Sequence, residues 1–470
     1  MGSLNEESFI FCPELVYEQS EFVRQVALVC DAAGLIVSLP NTTGLSMPNI
    51  VRLKNRALLP GLVNAHSHAF QRVIRGRTEY RTPNIKDSFW TWREMMYSAA
   101  SRLTPEDIYD ASRMAFLEMA LSGITSVGEF HYLHHGPDGT PYEDPNLLAK
   151  EVVRAAGDVG LRIALLRVAY ARSGYETEPN PQQLRFIEEN SEVYLKNVEK
   201  LVNDLSGSLG MAWVGVAPHS VRAVPLNYLR EVVQFAEVRK LPVHMHVAEQ
   251  EAEVSACIEE YGRSPVALLV TEGLLSERFT GVHMIHVTPK AIGMLAAARA
   301  LICACPTTER NLGDGIVPAN SFFKQGLRVA LGTDSQVEID LLEDARELEY
   351  HLRLQKMERA VLASTEDNGL SAIAARLFAS ATVSGAESIQ ARGGTLESGS
   401  PADFFTVDLN DPSIAGASEA DLLSAIVFSQ SKAAVKDVVV GGKRIVEDGR
   451  HAQQEEIVER FKRLQKKLWG

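Results

Sequence analysis

LPGLVNAHSH, residues 59–68, has the pattern of an apolar strand that ends in two histidines, His66 and His68. In a β-strand, residues two apart point to the same face, so both imidazoles can bind one metal ion. Taken alone, the pair is equally compatible with a strand end that holds no ligand. Further histidine and acidic residues follow later strands, and this favours a metal site in a fold that brings many strand ends together.

The composition is that of a soluble globular enzyme, with 470 residues, 46% hydrophobic and 23% charged. This length allows one large barrel domain and a smaller one. The net charge of −13 argues against a nucleic-acid partner. No apolar run approaches the ~20 residues that span a membrane. Because the N-terminus lacks a secretory layout and the five cysteines are scattered, we expect a reduced, cytoplasmic compartment.

Eight short apolar runs alternate with amphipathic segments, which is typical of parallel βα units. The runs are 57–65, 123–130, 161–169, 211–217, 241–247, 280–285, 300–305 and 326–331. The helical segments between them include 106–122, 147–159, 226–239, 264–272 and 289–298. This order predicts an α/β fold with a (β/α)₈ TIM-like barrel. A doubly wound parallel sheet is the alternative.

Polar residues at the ends of these runs favour the barrel over the open sheet. They are His66, His68, Glu129, His131, Tyr132, His219, His246, Glu249, His283 and Asp334. All carboxyl ends of the strands share one mouth in a barrel, whereas an open sheet would place its first and last strands far apart.

The two ends of the chain have short β patterns and turns instead of βα units. We predict that residues 1–57 and 385–470 pair into one small β-sandwich domain beside a catalytic barrel of residues 58–384. Residues 455–469 alternate apolar and basic side chains at helical spacing, which indicates a docked terminal helix.

Imidazole and carboxylate side chains without clustered thiols suit one divalent metal ion, with Zn²⁺ favoured. His66, His68, His246 and Asp334 would hold it and leave one position open for water, whose pKa then falls to ~7. Glu249 is suitably spaced to move a proton, and His283 to polarise the substrate. The predicted catalytic residues are Glu249, His283 and Asp334.

The remaining histidines have simpler interpretations. His244 is expected to pack one layer deeper in the barrel, and His286 to begin a helix. His131, His134 and His135 could suggest a second metal, but nearby acidic residues are lacking. A solvated or substrate-facing loop is therefore the favoured interpretation of these three.

Several segments resemble the amidohydrolase superfamily, whose members are metal-dependent hydrolases with a (β/α)₈ barrel and a terminal β-sandwich. They are PGLVNAHSH, HMHVAEQEAEV, VHMIHVTP, CPTTERNLGDG, ALGTDS, GTLESGSPADFFTVD and VVVGGKRIVEDGR. Within the superfamily the chain resembles the formimidoylglutamate deiminases. The segments that carry this finer similarity are HSHAFQR (66–72), DSFWTWREMMY (87–97), APHSVR (217–222) and NLGDG (311–315).

The resemblance implies the same four metal ligands and the same roles for Glu249 and His283. It further suggests Gln71, Tyr132, His219 and Arg222 as substrate contacts. No lysine ends the third or fourth run, which favours one metal over two. One departure is Arg310, which stands where relatives often have alanine or serine and could alter the rim of the pocket.

Three arginines adjoin the proposed site segments, namely Arg72, Arg93 and Arg222. Guanidinium groups bind carboxylates with two parallel hydrogen bonds, so these residues fit a dicarboxylate substrate. We take Arg93 and Arg222 as substrate-binding candidates. For any one of them, a surface salt bridge is the alternative.

The function implied by the resemblance is hydrolytic deimination of N-formimino-L-glutamate, a small anionic amidine, in histidine degradation by a homodimer. A deaminase of an aminated heterocycle is the alternative, because Phe89, Trp90 and Trp92 could stack on a base. A non-enzymatic metal-binding scaffold is disfavoured, since it would not need the acid–base groups at Glu249 and His283.

Overall fold

The computed structural model describes residues 9–42, 49–81, 83, 89–178, 180–364 and 369–470. In chain order, the strands are β1 (Phe9–Glu18), β2 (Glu21–Arg24), β3 (Leu28–Cys30), β4 (Ile36–Ser38), β5 (Ile50–Pro60), β6 (Leu62–Ser67), β7 (Ile124–His131), β8 (Arg162–Ala169), β9 (Ala212–Pro218), β10 (Val243–Val247), β11 (Phe279–His283), β12 (Leu301–Ala304), β13 (Arg328–Leu331), β14 (Phe404–Asp408), β15 (Val435–Val440), β16 (Lys443–Glu447) and β17 (Arg450–His451).

In the same order, the helices are α1 (Phe89–Ala100), α2 (Pro105–Leu121), α3 (Leu147–Val159), α4 (Ser191–Leu205), α5 (Leu226–Arg239), α6 (Glu251–Tyr261), α7 (Pro265–Thr271), α8 (Pro289–Ala297), α9 (Pro306–Leu312), α10 (Ala319–Lys324), α11 (Leu341–Lys356), α12 (Ala372–Ala381), α13 (Val383–Ile389), α14 (Leu422–Ser429) and α15 (Gln454–Trp469). Of the described helices, none is both long and apolar enough to cross a membrane.

Strands β6 to β13 form one parallel sheet in which every strand pairs with its neighbour in sequence. A parallel bridge between Ser67 and Asp334 joins the first strand to the end of the last. Two backbone bonds of 3.0 Å support it, from Asp334 N–H to the His66 oxygen and from His68 N–H to the Asp334 oxygen. The predicted eight-stranded barrel is confirmed, and its carboxyl ends share one mouth.

The predicted first run, 57–65, is divided between two sheets. Strand β5 ends at Pro60 in the terminal sheet, and β6 begins at Leu62 in the barrel. Gly61 lies between them and donates its N–H to the Asp403 oxygen at 3.0 Å. A side chain here would meet the Thr125 side chain at 2.3 Å, so the crossing point requires glycine. Because residues 57–65 are almost entirely apolar, the sequence does not show where the first strand ends and the second begins.

The remaining strands form a separate nine-stranded sheet built from both ends of the chain. Strand β5 pairs in parallel with β1 and antiparallel with β14, so it links the N-terminal and C-terminal parts. Strands of this sheet contribute an apolar cluster that includes Phe11, Leu58, Phe404 and Val439. The predicted β domain from the two termini is confirmed, whereas its limits at 57/58 and 384/385 stay a prediction.

Helix α13 packs against the barrel although it extends past the predicted limit at 384/385. The backbone oxygen of Ser388 accepts a hydrogen bond from His244 Nε2 at 2.8 Å, and that of Ile389 accepts one from Trp213 Nε1 at 2.7 Å. The terminal helix α15 buries Ile457, Phe461, Leu464 and Leu468 on its inner face. The docked helix expected at 455–469 is therefore present.

Candidate metal centre and active site

Four candidate ligands meet at the mouth of the barrel. His66 lies in β6, His68 directly follows it, His246 lies in β10, and Asp334 follows β13. His66 Nε2 lies 3.2 Å from the Nε2 atoms of both His68 and His246. Asp334 Oδ1 lies 3.5 Å from His66 Nε2 and 3.2 Å from His68 Nε2. Strands distant in sequence therefore direct four ligand atoms at one point.

These separations fit a tetrahedral metal ion. With bonds of about 2.0–2.1 Å, two ligand atoms of such a site lie about 3.3–3.4 Å apart. The Nδ1 atoms of His68 and His246 face backbone oxygens, of Phe130 at 2.8 Å and of His219 at 3.1 Å. Donation from Nδ1–H leaves the Nε2 lone pair free for a metal, which is the usual support for a histidine ligand. The donor set of three imidazoles and one carboxylate suits Zn²⁺.

The ionisation of this cluster also suits a cation. Burial lowers the pKa of His66 to about 3, and it lowers the pKa of His246 well below its usual value. Both imidazoles are therefore neutral. Burial alone would raise the pKa of Asp334, but hydrogen bonds with His66 and His68 bring it well below the usual range. Neutral imidazoles beside an ionised carboxylate are the protonation states that a divalent ion requires.

The backbone at the site adopts conformations that are rare for residues with side chains. Asp334 has φ 46° and His283 has φ 71°, both in the left-handed region. Such strain is characteristic of functional sites, where it sets the direction of a side chain. The backbone just after β13 packs closely against β6, because a side chain at Gly332 would meet His66 Cβ at 2.7 Å.

Glu129 accepts hydrogen bonds from Ser67 Oγ and Ala69 N at 2.5 and 2.7 Å, and burial raises its pKa to about 8.

Glu249 and His283 lie together beside the four candidate ligands. His283 Nε2 is 3.7 Å from Glu249 Oε1 and 3.8 Å from Asp334 Oδ2. Burial raises the pKa of Glu249 to about 8, although His283 acts in the opposite direction. A carboxyl group with a pKa near neutrality can both accept and donate a proton, as general acid–base catalysis requires.

Glu309 supports His283 from behind and was not identified from the sequence. His283 Nδ1 lies 3.2 Å from Glu309 Oε1, which also accepts the backbone N–H of Cys305 at 2.9 Å. Burial acts to lower the pKa of His283, but the carboxylates of Glu249, Glu309 and Asp334 hold it well above the usual value. The available signal was its position in the CPTTE segment, four residues after Cys305.

The predicted substrate contacts line one pocket above this cluster. The pocket is lined by His68, Gln71, Phe89, Trp92, Arg93, Met96, Tyr97, Tyr132, Tyr170, Phe186, His219, Arg222, His246, Glu249, His283, Leu312 and Asp334. Gln71 Nε2 donates to the hydroxyl of Tyr132 at 2.8 Å. The structure thus brings together Gln71, Arg93, Tyr132, His219 and Arg222. The DSFWTWREMMY segment contributes through α1, while its first two residues, 87 and 88, lie outside the described residues.

The two arginines of the pocket differ in their hydrogen bonds within the described residues. Arg222 Nη1 donates to the Ser173 oxygen at 2.8 Å. Arg93 packs over the rings of Trp90 and Tyr97, with Cζ 4.5 and 5.3 Å from the ring centroids. Among the described residues, Arg93 Nε and Nη1 are buried and have no hydrogen-bond partner. An anionic ligand would provide the missing acceptors.

Two arginines that the sequence associated with the site face elsewhere. Arg72 binds Glu118 at 2.5 Å and packs over the ring of Phe461, because the turn after His68 directs it outward. Arg310 binds Glu347 at 2.6 Å with half of its side chain exposed, so it does not alter the pocket rim. Of Arg72, Arg93 and Arg222, only the last two therefore line the pocket.

The other histidines are structural. His244 Nε2 lies 2.8 Å from the Ser388 oxygen, and the side chain is buried as expected. His286 Nε2 lies 3.1 Å from the Asp314 oxygen, in the loop that leads into α8 at Pro289. The prediction that His131, His134 and His135 lie in a solvated or substrate-facing loop is wrong. His131 and His134 are buried, and His134 and His135 bind backbone oxygens. The loop folds inward because buried backbone groups of neighbouring segments accept these imidazoles.

The chain is similar in sequence and in fold to known proteins. Residues 57–445 match the Amidohydrolase family. The chain is 39% identical to formimidoylglutamate deiminase of Pseudomonas aeruginosa over 86% of this chain and 88% of that protein. It is 29% identical to 5-methylthioadenosine/S-adenosylhomocysteine deaminase of Caldanaerobacter subterraneus subsp. tengcongensis, over 85% and 83%.

Two crystal structures extend the comparison to the fold. An amidohydrolase from Brucella melitensis superposes with a TM-score of 0.90 at 35% identity, over 98% of this chain and 100% of that one. An adenosine deaminase from Xanthomonas campestris with bound zinc superposes with a TM-score of 0.81 at 21% identity, over 98% of both chains. The second similarity establishes the fold only.

Proposed function

This chain belongs to the amidohydrolase family, and from that premise we propose that it hydrolyses N-formimino-L-glutamate to N-formyl-L-glutamate and ammonia. The family is metal-dependent, and the similar protein of Pseudomonas aeruginosa is a formimidoylglutamate deiminase. The lining of the pocket is the observation that supports this substrate. Its floor holds Glu249 beside the four candidate metal ligands, and its wall holds Arg93 and Arg222.

The proposed site residues act as follows. His66, His68, His246 and Asp334 hold one divalent ion, Zn²⁺ by preference, which when bound supplies the Lewis acidity that activates water. Glu249 accepts a proton from the attacking water and delivers it to the formimino nitrogen. The oxygen of water bonds to the formimino carbon and gives a tetrahedral state with a hydroxyl group. The proton of this hydroxyl then passes to the same nitrogen as its bond to carbon breaks, so ammonia leaves and the oxygen remains as the formyl carbonyl.

His283 is the group that stabilises negative charge during the attack. Its position is set by Glu309 on one side and by Glu249 and Asp334 on the other. A cationic imidazole beside the reacting carbon lowers the energy of the tetrahedral state, because the charge develops in a water-poor cavity.

Arg93 and Arg222 would bind the two carboxylates of the substrate, with Gln71, Tyr132 and His219 assisting. A heterocyclic ligand without a carboxylate would leave the buried nitrogens of Arg93 unpaired. Leaving buried donors unpaired costs about 1–3 kcal/mol, and more for charged groups. This penalty favours the dicarboxylate over guanine or an adenosine derivative, despite the aromatic side chains of Phe89 and Trp92.

The decisive experiment is ammonia release from a panel of substrates by metal-loaded protein. The panel is N-formimino-L-glutamate, N-formimino-L-aspartate, guanine and adenosine. We expect the highest kcat/KM for the first, with one N-formyl-L-glutamate formed per ammonia. Efficient deamination of guanine or adenosine, with no turnover of the amidines, would contradict the proposal. His246→Ala is the matched control, which should lose both bound metal and turnover.

We further propose a cytoplasmic homodimer that acts in histidine degradation with one zinc ion per chain. Elemental analysis should give about one ion per chain, and light scattering should give the mass of a dimer. Two catalytic ions per chain, or a monomer at working concentrations, would contradict these points separately.

A further inference from the structure

Gln183 lies behind the pocket and joins two of its tyrosines. It is 1% exposed, at the end of a short 3₁₀ turn, Pro181–Gln183. Its Nε2 donates to the hydroxyl oxygens of Tyr97 and Tyr170, at 2.7 and 2.5 Å. Both tyrosines are 2% exposed and line the pocket. One amide therefore fixes two phenol groups that belong to different elements of the barrel mouth.

This arrangement determines which hydrogen bonds the two hydroxyl groups can still donate. An amide NH₂ group only donates, so each phenol oxygen accepts one hydrogen bond from Gln183 and keeps its own proton to donate. Burial raises the pKa of Tyr97, so this proton remains in place at neutral pH. The Tyr97 hydroxyl also has a hydrogen bond with the Tyr170 hydroxyl. One proton is therefore used between the two phenols, and one O–H donor of the pair remains available inside the buried pocket.

The surroundings of these donors are cationic. Arg222 Nη1 lies 3.5 Å from the Tyr170 hydroxyl, and the Arg93 guanidinium carbon lies 5.3 Å from the ring centroid of Tyr97. A hydroxyl donor between two guanidinium groups is suited to an anion. A neutral ligand would leave more of these donors unpaired, at a cost in affinity.

We infer that Tyr97 and Tyr170, with hydroxyl groups oriented by Gln183, form a carboxylate-binding pair for one of the two carboxylates of the substrate. This inference rests on the proposed function and deepens it. Tyr97 and Tyr170 contact the substrate, whereas Gln183 is a positioning residue. The pair adds selectivity for a dicarboxylate that the two arginines alone would not provide.

Two other interpretations make different predictions. The tyrosines could act only through the shape of their rings, or the Gln183 amide could be reversed so that its oxygen accepts both protons. In either case, loss of a hydroxyl would not weaken the binding of a particular carboxylate. The test therefore has to vary the enzyme and the carboxylates of the substrate together.

The experiment measures kcat and KM for Tyr97→Phe, Tyr170→Phe and Gln183→Glu on three substrates. These are N-formimino-L-glutamate, N-formimino-L-2-aminobutyrate, which lacks the side-chain carboxylate, and N-formimino-4-aminobutyrate, which lacks the α-carboxylate. We expect each Phe variant to lose about tenfold in kcat/KM on the dicarboxylate, mainly through KM. The loss should disappear on one of the two analogues, which identifies the bound carboxylate. Gln183→Glu should lose more, because a carboxylate takes up both hydroxyl protons.

Binding of glutarate, measured by calorimetry, gives a readout independent of turnover and should weaken in parallel. Tyr194→Phe is the matched control, since its hydroxyl is buried outside the pocket and donates to the Arg167 oxygen at 2.6 Å. It should leave kcat/KM unchanged. Equal losses on all three substrates, or Phe variants within twofold of wild type, would overturn the inference. Absence of wild-type turnover on N-formimino-L-glutamate would instead contradict the proposed function.

Discussion

Arg167 and Arg93 are both arginines at the mouth of the barrel, but their hydrogen bonding differs. Arg167 is fully buried, and its guanidinium binds both oxygens of Glu188 at 2.5 and 2.9 Å and Asn146 Oδ1 at 2.9 Å. Asn197 Nδ2 donates to Glu188 at 2.6 Å. Arg93 has buried Nε and Nη1 atoms for which no described residue is a partner.

Two carboxyl groups show the same contrast. Burial acts to raise the pKa of Glu188, but the charge of Arg167 and its hydrogen bonds bring that pKa down to about 2. Burial raises the pKa of Glu249 to about 8, because the charge of His283 offsets it only partly. A carboxylate with all its partners is a permanent anion, whereas Glu249 can exchange a proton at neutral pH.

Arg167 and Glu188 therefore contribute to stability, whereas Arg93 and Glu249 are available for binding and turnover. The Arg167–Glu188 cluster satisfies its own polar groups, so its loss should affect folding. The pocket keeps donors and acceptors for a ligand, so its loss should affect turnover. Four variants test this division, from the largest expected effect to the smallest.

Arg167→Met should destabilise the protein by about 3–5 kcal/mol, because it leaves Glu188 as a buried charge without a partner. Denaturant unfolding measures the loss, and kcat/KM of the folded fraction should stay near the wild-type value. The double variant Arg167→Met/Glu188→Leu should recover part of the stability. A single variant as stable as wild type would show that the cluster contributes nothing to folding.

Glu249→Gln should reduce kcat by about 10²-fold or more, since the amide cannot carry the proton. Metal content and unfolding should stay as in wild type. A near wild-type rate would assign proton transfer to another group, and loss of the metal would make Glu249 a ligand.

The stability contributed by Glu188 should depend on pH in the acid range. Its pKa is lower in the folded state, about 2, than the ordinary value of 4.5. The contribution is therefore fully present above about pH 4.5 and is lost as the pH falls towards 2. Glu188→Gln should be about 2 kcal/mol less stable than wild type at neutral pH. This difference should narrow over the acid window, and a constant difference would contradict the assignment.

Arg93→Met should lower kcat/KM for N-formimino-L-glutamate by about tenfold, which corresponds to ~1.4 kcal/mol. Its stability should equal or exceed that of wild type, because buried unpaired donors are removed. Arg310→Met is the control, since Arg310 is half exposed and paired with Glu347. A large loss of stability in Arg93→Met would place it with Arg167 instead.

Much of the barrel and of the metal cluster could be predicted from the chain alone. Alternation in β-strands puts His66 and His68 on one face, and the common mouth of a barrel brings His246 and Asp334 to them. The proposed contacts Arg93 and Arg222 were found next to recognisable segments. The barrel could be predicted because the periodicity of each strand and the order of the strands can be read along the sequence, whereas the roles of Arg93 and Arg222 stay predictions.

Packing between distant segments decided the rest. Arg72 and Arg93 both adjoin site motifs, yet Glu118 draws the first outward while the second enters the pocket. Gln183 reaches Tyr97 and Tyr170 from a turn with no sequence signal, and Glu309 reaches His283 from the next strand end. Periodicity fixes the face on which a side chain lies, but its partner depends on which segments the folded chain brings within hydrogen-bond distance.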